Sequence, residues 1–226
     1  TVGDPVHMIP VLAICDPEIT IGLPKSLTAA CGVDALTHCI EAYTVQLHQP
    51  ITDALALKGI SMIAENLEKA YENGEDREAR RNMMIASTIG GMAFISSNVG
   101  AVHAFAETVG AWFDTPHGVA NSLFLPYIME FNIPACPERF ADIADAMGIE
   151  REESMSDEQY ALKAVEYVKA LNRKLNIPTI KEIKGITEER FEAIAERSAN
   201  NVLSNDNARK ITKEDYLELL KKAYNE

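Results

Sequence analysis

From Ser26 onward, apolar positions recur every three or four residues, the period that lines one face of a helix. Residues suited to a helix start stand ahead of several such runs: Ser26 after Pro24, Thr52-Asp53, Asp76, and Pro137. Ser156-x-x-Gln159 and Thr212-x-x-Asp215 resemble capping boxes, the second with Asp in place of Glu or Gln. Asn73-Gly74, Gly110 and Gly148 read as stops. The pattern predicts about nine helices, near 26–46, 52–73, 76–97, 100–110, 117–131, 137–147, 156–175, 187–202 and 212–224. Only the apolar run Met8–Cys15, closed by Asp16-Pro17, reads as a strand. A lone strand leaves its backbone groups unpaired, so it implies a sheet supplied from elsewhere. The expected fold class is all-α, a multi-helix bundle preceded by that short strand.

Composition fits this picture and narrows the partners. The 226 residues, 47% of them hydrophobic, can bury a full core, and a charged fraction of 24% is ordinary for a globular chain. The net charge is −13, and residues 1–149 hold 18 acids against 7 bases. Such a surface repels phosphate backbones and anionic membranes, so nucleic acid and membrane are not expected partners. Cys15, Cys31, Cys39 and Cys136 form no C-x-x-C pair, which favours reduced thiols and a cytoplasmic setting. No apolar run approaches membrane-spanning length, and the first residues lack the order of a signal peptide. Thr1 is not an initiator methionine, which points to a trimmed or truncated chain.

Two features carry candidate chemistry. Asp34 and His38 lie four apart, on one helical face, and His103 and His117 bracket a short turn at Thr115-Pro116. One carboxylate and three imidazoles suit a divalent cation with mixed oxygen and nitrogen ligation. Spacing alone leaves this open, because an isolated Asp–His pair also serves as a surface or capping interaction.

The strings around these residues say more. Leu27-Thr-Ala-Ala-Cys-Gly-Val-Asp34-Ala-Leu-Thr-His38-Cys-Ile-Glu-Ala-Tyr43 is followed by Thr52-Asp-Ala-Leu-Ala-Leu57, Gly91-Met-Ala-Phe94 and His103-Ala-Phe-Ala. Then come Thr115-Pro-His117-Gly-Val-Ala-Asn121 and Leu125-Pro126. In this order they resemble the iron-containing (group III) alcohol dehydrogenases, from about Ile14 to the final helix. The resemblance implies a dehydroquinate synthase-like fold whose C-terminal helical domain is residues 26–226. Residues 1–25 would be the end of an N-terminal α/β domain and its linker. It also implies metal ligands at Asp34, His38, His103 and His117, binding Fe²⁺ or alternatively Zn²⁺. The expected activity is NAD(P)-linked oxidation of an alcohol or reduction of an aldehyde or ketone, in an enzyme that self-associates. NAD or NADP would be held mainly by the N-terminal domain. The family's Gly-Gly-Gly-Ser and Gly-Thr-Gly-Ser phosphate segments do not occur in these 226 residues, nor does G-x-G-x-x-G. The isolated chain is therefore expected to be inactive. Rival readings are an all-helical metal hydrolase and a metal-binding module without activity.

One position departs from the family. Many members carry a second histidine four residues after the third ligand, near the nicotinamide; here it is Glu107. Glu107 is the candidate catalytic residue, as a proton relay, with tethering of His103 and simple solvation as alternatives. Glu41 shares a face with Asp34 and reads more simply as a solvated or salt-bridged carboxylate than as a spare ligand or a support behind the ligands. His7 and His48 look incidental. Met83, Met84 and Met92 are expected in the core, Trp112 and Phe113 as core anchors or pocket lining, and the run 75–81 as a helix start with solvated faces.

Overall fold

A computed structural model describes residues 10–226. Among them nine α-helices form: α1 (Lys25–Thr44), α2 (Pro50–Glu72), α3 (Arg77–Ser97), α4 (Ala101–Phe113), α5 (His117–Asn132), α6 (Pro137–Ala146), α7 (Asp157–Lys174), α8 (Phe191–Ala199) and α9 (Lys213–Asn225). The all-α expectation holds, and no strand is present among the described residues. Of the run expected as a strand, residues 8 and 9 lie outside the described residues, and 10–15 are exposed and without regular structure. Among the described residues no neighbouring strand pairs with it.

α1 is the hub. It packs against α2, α3 and α5, and α2 packs on α3 behind it. Small residues allow that close approach: Ala29, Ala30, Gly32, Val33, Ala35, Cys39 and Ala42 are all buried. A helix apolar nearly all round belongs in the interior. α5 comes so close that a side chain at Gly118 would meet the Ala30 carbonyl oxygen at 2.3 Å. α4 packs on α5 and α8, α6 on α7, and α8 on α9. Phe105 of α4 stacks on Phe124 of α5 with ring centroids 4.1 Å apart and meets Tyr216 of α9 edge-on at 4.6 Å, which locks these helices together.

Caps follow the sequence where it marks them. Asp76 accepts from Ala79 N, and the boxes at Ser156/Gln159 and Thr212/Asp215 both form. α4 has no local side-chain cap; its N-cap is Gly100. Instead Val102 N donates to Glu41 Oε1 at 2.8 Å and Ala101 N to Asn207 Oδ1 at 3.3 Å, both acceptors coming from distant elements. α3 and α4 meet at 105° across Asn98–Gly100, and this bend turns the first residues of α4 onto α1.

Two expectations fail. Met92 is 56% exposed rather than core, as are neighbouring Ile85 and Ile95, so α3 presents an apolar outer face. In the 75–81 run the expected helix start holds, but not every face is solvated: Arg80 is buried, donating to Gly74 O and Thr28 Oγ1. Trp112 is partly exposed and Phe113 packs at the core margin. All four cysteines are free thiols, Cys39 and Cys136 buried and Cys15 and Cys31 exposed. Among the described residues no single helix is long and apolar enough to cross a membrane.

Candidate metal centre

The four residues singled out by their spacing come together. Asp34 and His38 project from the middle of α1, His103 from the first turn of α4, and His117 opens α5. One ligand-capable atom from each lies within 4.8 Å of all the others. Asp34 Oδ2 is 3.7 Å from His38 Nε2, while Asp34 Oδ1 is 3.7 Å from His117 Nε2 and 4.0 Å from His103 Nε2. The rings follow one another at centroid distances of 4.3 Å (His38–His103) and 5.3 Å (His103–His117), and Phe94 of α3 stacks on His38 at 4.4 Å. His103 is buried at the floor, whereas the His117 side chain is 49% exposed, so the cluster opens to one side.

At its centre sits Asn121, one turn along α5 from His117. Its Nδ2 donates to Asp34 Oδ1 at 2.5 Å and faces His117 Nε2 at 3.0 Å and His103 Nε2 at 3.3 Å. One carboxylate oxygen and two ring nitrogens thus converge on a single amide nitrogen. Two of the four buried side-chain atoms without a hydrogen-bond partner among the described residues, His38 Nδ1 and Asn121 Oδ1, belong to residues of this cluster. No lysine or arginine pairs with Asp34 among the described residues. A donor set of three imidazole nitrogens and a carboxylate oxygen, with two buried polar atoms left unpartnered, fits a divalent cation.

Electrostatics sharpen the contrast between the rings. Burial, reinforced by the charge of His103, lowers the His38 pKa to about 4 against the opposing pull of Asp34 and Glu41. His38 is therefore neutral at physiological pH, with a ring lone pair free to bind. Burial also disfavours the charged form of His103, but the hydrogen bond and charge of Glu41, with Asp34 and Glu107, outweigh it and raise its pKa.

Of the two expectations for Glu41, pairing with a basic group is met by His103 and solvation fails. Glu41 is 3% exposed, and Oε2 lies 2.5 Å from His103 Nδ1. The sequence places it on the Asp34 face but gives no sign of its partners, which lie 61 and 62 residues away. Asn121 was visible in the Pro-His-Gly-x-x-Asn string without a role; its separation of four from His117 is the signal for a shared face. Glu107 stands one turn after His103, where its Oε2 accepts from Asn201 Nδ2 at 2.7 Å beside a cleft of about 260 Å³ lined also by Arg197 and Asn200.

The fold and this cluster define a helical domain built around a three-histidine, one-aspartate site. Residues 28–224 match the profile described as Fe-containing alcohol dehydrogenase family, C-terminal. Alcohol dehydrogenase 4 of Saccharomyces cerevisiae is 42% identical over 221 residues, covering 96% of this chain and 56% of the yeast protein. The solved alcohol dehydrogenase from Oenococcus oeni superposes with a TM-score of 0.89 at 40% identity, over 92% of this chain and 54% of that one. The sulfoacetaldehyde reductase from Bifidobacterium kashiwanohense, solved in complex with NAD⁺, superposes with a TM-score of 0.82 at 26% identity, over 92% and 53%. The chain belongs to the iron-containing alcohol dehydrogenase family and corresponds to its C-terminal part. It spans about half the length of the relatives it matches.

Proposed function

We propose that Asp34, His38, His103 and His117 hold one divalent cation, Fe²⁺ with Zn²⁺ as the alternative, and that the chain is the metal-binding part of an NAD(P)-dependent alcohol dehydrogenase. The observation that carries this is the convergence of the four donors within 4.8 Å of one another in a member of this family. A bound cation would supply Lewis acidity toward an alcohol or carbonyl oxygen. The residues of the chain hold it from one side: His103 anchored at the floor, His38 kept neutral and backed by Phe94, His117 at the open edge where a small substrate enters. The hydride acceptor or donor would be NAD or NADP, as the relative solved with NAD⁺ supports, held mainly by a unit outside these 226 residues. Residues 1–25 would be the end of that α/β unit and its link, which agrees with the exposed Val11, Leu12 and Ile14. The reading includes a small alcohol or aldehyde as substrate, cytoplasmic residence and self-association, with neither nucleic acid nor membrane as partner.

The direct test is metal analysis of the purified chain after reconstitution with Fe²⁺ or Zn²⁺. One cation per chain is the expected result; none would overturn the assignment.

Glu107 is the proposed proton relay, a carboxylate one helical turn from His103 and held by Asn201. In the complete enzyme, Glu107→Gln should lower kcat by about 10²-fold, at the low end for general acid–base groups, and change one limb of the pH profile. An unchanged profile would reduce Glu107 to a tether between α4 and the Asn201 turn.

A further inference from the structure

We propose that Glu41 is a positioning residue that selects the imidazole tautomer of His103, leaving Nε2 unprotonated toward the cation site. The proposal rests on the metal reading above. Glu41 is 3% exposed, and no lysine or arginine pairs with it among the described residues. Both its oxygens are occupied by α4: Oε1 accepts from Val102 N at 2.8 Å, and Oε2 faces His103 Nδ1 at 2.5 Å. Gly100 leaves the room for this, since a side chain there would come within 3.2 Å of Oε1.

A carboxylate only accepts hydrogen bonds. His103 Nδ1 must therefore donate, and in the neutral ring the lone pair falls to Nε2, the nitrogen that faces Asp34 and Asn121. Capping Val102 alone does not require a charge, because an amide oxygen serves as well. The feature only a carboxylate provides is a second acceptor in the same plane, and that acceptor points at the ring.

Glutamine at this position keeps the shape and inverts the logic. If its oxygen stays on Val102 N, its NH₂ faces His103 Nδ1, which must then accept, so the proton moves to Nε2 and blocks it. If the amide turns over, its NH₂ opposes the Val102 N–H instead. The first arrangement keeps both contacts and the second loses one, so the lower-cost choice protonates the nitrogen that would ligate.

The test has two readouts. In the metal-free protein at alkaline pH, ¹⁵N NMR of the histidine rings should show the Nδ1–H tautomer for His103, and Glu41→Gln should convert it to Nε2–H. Competition with a chelator should show Zn²⁺ affinity of the variant falling about 10–100-fold, the range for groups that orient a ligand. A merely structural cap would not move the tautomer. If Glu41→Gln fails to fold by circular dichroism, the unmutated protein still decides: an Nε2–H tautomer there overturns the proposal. A folded Glu41→Gln chain that keeps the Nδ1–H tautomer, or binds Zn²⁺ as the unmutated chain does, also overturns it. If the unmutated chain binds no Zn²⁺, the metal reading fails, and the tautomer result judges the role of Glu41 separately.

Discussion

His38→Ala should reduce affinity for Fe²⁺ or Zn²⁺ by more than about 100-fold, while the helical content stays near that of the unmutated chain. Residues that merely orient a ligand are typically worth 10–100-fold, and a ligand itself should exceed that. The site has little to offer in compensation. Asp34 is already shared between His117 and His103 through Asn121, and Glu41 is committed to Val102 and His103. The other ring stacked on His38 is that of Phe94, which offers no donor atom. Because α1 is fixed along its length by α2, α3 and α5, loss of one partly exposed ring should leave it standing. Isothermal titration with Zn²⁺ against far-ultraviolet circular dichroism separates the outcomes. Retained affinity in a folded variant would remove His38 from the ligand set.

A polypeptide limited to these 226 residues should not oxidise alcohols, whereas the complete enzyme should. Hydride transfer requires the nicotinamide and the substrate carbon in near-contact, and such positioning contributes about 7–11 kcal/mol to lowering a barrier. That is about 10⁵-fold or more in rate. The chain has the donors for a cation but no glycine-rich loop leading into a helix that would cradle a pyrophosphate. It also spans only 53–56% of its relatives, among them one solved with NAD⁺. The expected measurements are cation binding, no detectable NAD(P)H binding by fluorescence, and no alcohol-dependent formation of reduced nicotinamide. Turnover by the intact chain, with longer species excluded by mass spectrometry, would place the cofactor site within these residues.

The helices were legible because their apolar period is local, and most ends fall within a few residues of those read from the pattern. The departures have local causes. The helix expected over 187–202 begins as a 3₁₀ turn, Glu188–Arg190, and α8 ends at Ala199, where the Asn201 side chain accepts from Leu203 N and starts a new turn. α4 runs past Gly110 to Phe113 and ends where Asp114 takes a left-handed conformation, φ 51°. At the site, Asp34, His38, His103 and His117 were visible because they sit in strings the family shares. The environment of Glu41 was not, since burial and partners drawn from another helix leave no trace in its neighbours along the chain. Asn207 is hidden for the same reason: it is 2% exposed and paired with Asn132 of α5 as well as with Ala101.

The way α4 begins has a further consequence, for the order of assembly. Its first amides are satisfied by Glu41 and by Asn207, so the turn that carries His103 depends on residues before and well after it in the chain. Loop closure over such separations costs entropy before any contact repays it. During synthesis, Asp34 and His38 of α1 emerge well before Asn207, whose side chain caps the start of the helix that carries His103. If the four donors hold a cation as proposed, its affinity would gauge how far this part of the chain has folded.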